Sequence, residues 1–70
     1  MREQLDRLIE EMIDKDIRFT DANREFERRF IARVLVRANG NLSRAARVLG
    51  IHRNTLSRKI AEHRIRRGAG

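Results

Sequence analysis

The chain lacks cysteine, proline, tryptophan and tyrosine altogether. Without cysteine there is no disulfide and no thiolate metal site to stiffen a chain of 70 residues. A domain this small buries only about 60% of the surface that its unfolded form exposes. Its core is thin, and a second subunit is the expected source of further burial. No proline is there to break or kink a helix. The three aromatics, Phe19, Phe26 and Phe30, lie away from the basic half, which argues against a stacking platform for single-stranded nucleic acid. Apolar runs are only a few residues long and no signal-like segment opens the chain, so neither export nor membrane spanning is expected and the cytoplasm is the default location. His52 and His63 are eleven positions apart with no carboxylate at ligand spacing, which leaves a metal site without support. Ser43 and Ser57 have no base and orienting acid around them, and Gly40, Gly50, Gly68 and Gly70 form no phosphate-cradling loop. No enzyme activity, cofactor or small-molecule substrate is expected.

What the chain does have is positive charge, and it is unevenly placed. Residues 40–70 hold Arg44, Arg47, Arg53, Arg58, Lys59, Arg64, Arg66 and Arg67 against Glu62 alone, so this half carries the whole +7. A merely solvated face mixes both signs. The balance therefore points to a polyanionic partner, and the scarcity of aromatics favours a duplex. The first 19 residues differ, with a net charge of −2 that phosphate would repel. That acidic bias also argues against a lipid-surface helix, which would carry Lys and Arg along its polar face.

Leu5, Leu8, Ile9, Met12 and Ile13 recur at i, i+3, i+4, i+7 and i+8, which predicts an amphipathic helix over residues 3–14. Residues 15–20 read as a connector with Ile17 and Phe19 pointing inward, and Thr20 or Asp21 can cap the next helix. That second helix is expected over residues 22–38, ended by Asn39 and Gly40. In its second half Phe30, Ile31, Ala32, Val34, Leu35, Val36 and Ala38 cover more than the roughly 100° stripe that one packing partner needs. Another copy of the chain is the expected cover. The expected dimer interface is Leu5, Leu8, Ile9, Met12, Ile13, Phe26, Phe30 and Val34; the alternative is a monomer in which the first helix folds back on its own second helix.

Residues 40–60, GNLSRAARVLGIHRNTLSRKI, read as two short helices joined by a glycine turn. Ser43 can cap the first, and Ala45, Ala46, Val48 and Leu49 give it an apolar face narrow enough for a close crossing. Gly50 can take the left-handed conformation that closes it, with Ile51 dropping into the core. The second starts at His52 or Arg53 and buries Leu56 and Ile60. Together these are the marks of a helix-turn-helix. Beyond Ile60 a further turn of helix, then a basic tail over residues 65–70 that frays at Gly68, is expected.

The run GN at Gly40 and Asn41, SRAA from Ser43, LGI from Leu49 and RNTLSRKI from Arg53 resembles the DNA-binding domain of the Fis family, shared with the C-terminal domains of NtrC-type activators. The preceding EFERRFIARVLVRANGN, from Glu25, is similar to that family's long central helix. The resemblance implies an all-α fold of four helices, in which residues 1–39 supply two long helices to an intertwined dimer bundle and residues 40–64 form the helix-turn-helix. It also implies a cytoplasmic, nucleoid-associated or regulatory homodimer that bends DNA, because Fis-type dimers hold their recognition helices closer than one turn of DNA.

In a helix-turn-helix the second helix enters the major groove with its N-terminal residues on base edges, here His52, Arg53 and Asn54. Arg53 can grip guanine O6 and N7 with two hydrogen bonds, worth about 1–3 kcal/mol of discrimination. Asn41, Ser43, Arg44, Thr55, Arg58 and Lys59 are placed for backbone phosphates, and the resemblance implies the same set together with Arg53. Fis itself has an asparagine where this chain has His52. A basic module docking on an acidic protein is the competing expectation.

Overall fold

The computed structural model describes residues 1–66. It is helical throughout, with α1 over Arg2–Asp14, α2 over Phe19–Arg37, α3 over Leu42–Leu49 and α4 over Arg53–His63, and no strand among the described residues. The expected all-α class and four helices are both present.

Left-handed residues set the breaks. Asp16 (φ 58°) follows α1, and the Ile17 N–H donates to the Met12 carbonyl at 3.0 Å. Asn39 (φ 54°) and Gly40 (φ 77°) follow α2, and the Gly40 N–H reaches back to the Leu35 carbonyl at 3.0 Å. Gly50 (φ 72°) ends α3, with the Ile51 N–H on the Ala46 carbonyl at 3.1 Å. Each bond spans five residues, the mark of a glycine-type helix stop that satisfies a carbonyl otherwise left open.

Helix starts depart from expectation. Asn41, not Ser43, caps α3: its Oδ1 accepts from the Arg44 N–H at 3.0 Å. The turn at Asn39 and Gly40 is so tight that the helix begins at Leu42, which puts Ser43 inside its first turn. Neither Thr20 nor Asp21 caps α2, which begins at Phe19 behind an extended Arg18 with no side-chain cap. Asp21 instead sits in the first turn, where its charge suits the positive end of the helix.

The core joins Ile31, Leu35 and Ala38 of α2, Leu42, Ala45 and Ala46 of α3, and Leu56 and Ile60 of α4. Two alanines at the crossing let the short helices approach closely. Val34, Leu49, Ile51 and Ile65 pack half-buried around it, so Ile65, placed in the tail on sequence, contacts the folded unit. Residues 67–70 of that tail lie outside the described residues. Val48 does not join the core and is 66% exposed. It falls roughly 110° away from the centre of the face that carries Ala45 and Ala46.

No residue of α1 is buried. Its apolar stripe lines a groove of about 430 Å³ with Ile17 of the connector and Phe19, Ala22, Asn23 and Phe26 on the near part of α2. Phe19 and Ile17 do not point into the core, since Phe19 is 80% exposed and Ile17 is exposed as well. Phe19 precedes Ile31 by twelve positions, which places it about 120° round α2 from the buried face. Of the residues expected at a dimer interface, Leu5, Leu8, Ile9, Ile13, Phe26 and Phe30 are exposed, while Met12 is half-buried and Val34 packs against its own core.

Candidate nucleic-acid interface

The recognition-type helix is α4, and its inward face is fixed by Leu56 and Ile60. With about 100° of turn per residue, Asn54, Arg58 and Ala61 turn to the opposite side, with Ser57 at its edge. All four are exposed. Ser57 and Ala61 are not among the contacts expected on sequence; their i, i+3, i+4, i+7 spacing with Asn54 and Arg58 is the signal that could have found them. Arg53, the first residue of α4, is exposed at its leading end, and Thr55 is half-buried at the flank.

His52 is the N-cap of α4, its Nδ1 accepting from the Asn54 N–H at 3.2 Å. An accepting Nδ1 leaves the ring proton on Nε2. The exposed edge of His52 therefore presents a donor, suited to guanine O6 or N7, thymine O4 or a phosphate oxygen. An asparagine amide could offer both a donor and an acceptor; the capped histidine offers the donor alone.

At the start of α3, Asn41, Ser43 and Arg44 are all exposed, and the Asn41 cap uses Oδ1 while its amide group remains for an outside acceptor. Because α3 packs on α4 through the alanine crossing, the two helix starts belong to one rigid unit.

On α2, Arg28 and Arg29 both donate to Glu25, at 2.7 and 2.6 Å. The Glu25 carboxyl is held below its usual range by Arg29 first and Arg28 second. Among the described residues, Arg44, Arg47, Arg53, Arg58 and Arg64 make no ion pair, so their field is directed to solvent. Lys59 is the exception. It is half-buried, and its ammonium pairs with Glu27 of α2. The same carboxylate stands 3.5 Å from His63 Nε2. Lys59 pulls the Glu27 carboxyl below its ordinary value, against a smaller opposing effect of burial. His63 is a partly buried residue at the helix end. Glu27 is a member of the site that sequence reasoning misses, being 32 positions from Lys59 in the chain.

Among the described residues no cluster of His, Cys, Asp and Glu could hold a metal ion, and no helix is long and apolar enough to cross a membrane.

Residues 23–63, from the first half of α2 to the end of α4, match the family of bacterial regulatory proteins described as the Fis family. A protein of Xylella fastidiosa (strain Temecula1) named as a putative Fis-like DNA-binding protein is 43% identical over 56 aligned positions, which cover 70% of this chain and 62% of that protein. The chain thus spans less than two thirds of that relative's length. No solved structure matches it. The family match takes in more than half of the chain and every element of the helix-turn-helix, and by it the chain belongs to the Fis family of bacterial regulatory proteins.

Proposed function

We propose that this protein is a homodimeric regulator that binds duplex DNA through the major groove and bends it. The observation that carries the reading is that Arg44 and Arg47 on α3 and Arg53 and Arg58 on α4 are exposed and make no ion pair among the described residues, beside an α4 whose outer stripe is free of packing. Membership of the Fis family and the name of the Xylella relative support it. In this reading Arg53, His52 and Asn54 reach base edges, with Ser57 behind them on the same helix. Asn41, Ser43, Arg44, Thr55 and Arg58 hold phosphates.

The exposed apolar stripe of α1 and the Phe26 and Phe30 face of α2 supply the pairing surface. Straight B-DNA presents successive major grooves about 34 Å apart, and a family dimer holds its recognition helices closer, so the duplex bends to meet both.

The test is duplex affinity measured across a range of salt. Each neutralised phosphate adds about −0.9 to the log–log slope, so several contacts per subunit give a steep line. Absence of duplex binding, or binding indifferent to salt, would contradict the reading and point to a docking module.

A further inference from the structure

Glu27 stands where α2 meets the later turns of α4. One of its carboxylate oxygens holds the Lys59 ammonium and the other faces His63 Nε2. Lys59 and His63 are four apart and so lie one above the other on a single face of α4. That face adjoins Leu56 and Ile60 rather than the outer stripe of Asn54 and Arg58. It is sheltered: the Lys59 side chain keeps 29% of its surface, Glu27 35% and His63 9%. His63 Nε2 is buried without a hydrogen-bond partner, so Glu27 is the polar group nearest at hand to satisfy it. To reach a phosphate, Lys59 would have to abandon a half-buried carboxylate and leave it without its cation, which is costly.

We propose that Glu27 is a positioning residue for the recognition helix: with Lys59 and His63 it clamps α4 to α2, and Lys59 orients α4 instead of neutralising a phosphate. The consequence reaches further because α2 also carries the apolar face assigned to pairing. The tilt of α4 on α2 then sets the distance between the two recognition helices of a dimer. The inference rests on the duplex-binding reading above, and it removes Lys59 from the phosphate contacts expected on sequence.

The experiment measures affinity of the full chain for a preferred duplex, selected from a random pool, and for random duplex, each across salt. It compares the wild type, Lys59→Ala, Glu27→Gln and the exchanged pair Glu27→Lys with Lys59→Glu. Breaking the clamp by either single change weakens preferred binding about tenfold, the scale of a coupled pair. Lys59→Ala leaves the salt slope unchanged, and Glu27→Gln loses affinity although it makes the protein more positive. The exchanged pair restores the clamp at unchanged net charge and recovers the sequence preference, which keeps the test valid if a single variant fails to fold. A slope shallower by about two per dimer in Lys59→Ala, tighter binding by Glu27→Gln, or no recovery in the exchanged pair would overturn the clamp alone. A wild type that binds no duplex would overturn the reading beneath it.

Discussion

All of the fully buried apolar side chains lie between Ile31 and Ile60, whereas the large apolar side chains left exposed lie, except for Val36 and Val48, between Met1 and Phe30. The division runs through the middle of α2: Phe26 and Phe30 face outward, and within two turns Ile31, Leu35 and Ala38 are covered by α3 and α4. Charge divides in nearly the same place, with residues 1–39 neutral overall and residues 40–70 carrying +7. The later region completes its own core and turns unpaired cations to solvent. The earlier region pairs Arg28 and Arg29 with Glu25 and leaves its apolar surface uncovered. In the proposed reading the later region meets a polyanion and the earlier one meets an apolar face.

The largest effect should come from breaking the self-sufficient side of this comparison. Leu35 has no exposed surface, and Leu35→Ala should cost about 2–5 kcal/mol by the cavity it leaves. A thermal melt shifted by only a degree or two would show that the core does not rest on α2. Next comes the uncovered side. Leu8→Asp adds a charge to a face proposed to be buried in a dimer, and should weaken self-association by about a hundredfold or more. Sedimentation reads it, with circular dichroism reporting whether the later helices survive. Unchanged association would mean that the pairing surface lies elsewhere.

Smaller effects sharpen the comparison. A Cβ at Gly50 would meet nothing within 4 Å, so Gly50→Ala isolates the cost of the left-handed backbone. Denaturant unfolding should show a loss of about 1–2 kcal/mol. The smallest effect concerns the link between the two regions. Pairing with Lys59 depresses the Glu27 carboxyl below its ordinary value of 4.5. Its stabilisation is therefore present above that value and lost as pH falls through the depressed one. Between about pH 5 and pH 3 the wild type should lose more of its melting temperature than Glu27→Gln does. Parallel losses in the two proteins would contradict the pairing.

Much of this is legible in the residues. Period and glycine placement announce four helices, the Gly50 stop and the burial of Leu56 and Ile60, because these are local rules acting within one or two turns. The helix starts are less legible. Asn41 and Ser43 are both good caps, and the choice between them is made by where the Asn39–Gly40 turn ends rather than by propensity. Phe19 is misplaced on sequence because hydrophobicity alone does not say which side of α2 a residue takes. At the candidate site, the exposure of Arg53, Asn54 and Arg58 follows from spacing. The engagement of Lys59 does not, since its partner comes from another helix and no local pattern ties Glu27 to it.

The central claim is that one region pairs the chain while the other grips a duplex. Sedimentation velocity of the protein mixed with a single short duplex, bearing its selected site, tests both parts together. The account predicts one dominant complex of two chains on one duplex, at a protein concentration where the free chain is already dimeric. A complex of one chain per duplex would contradict it.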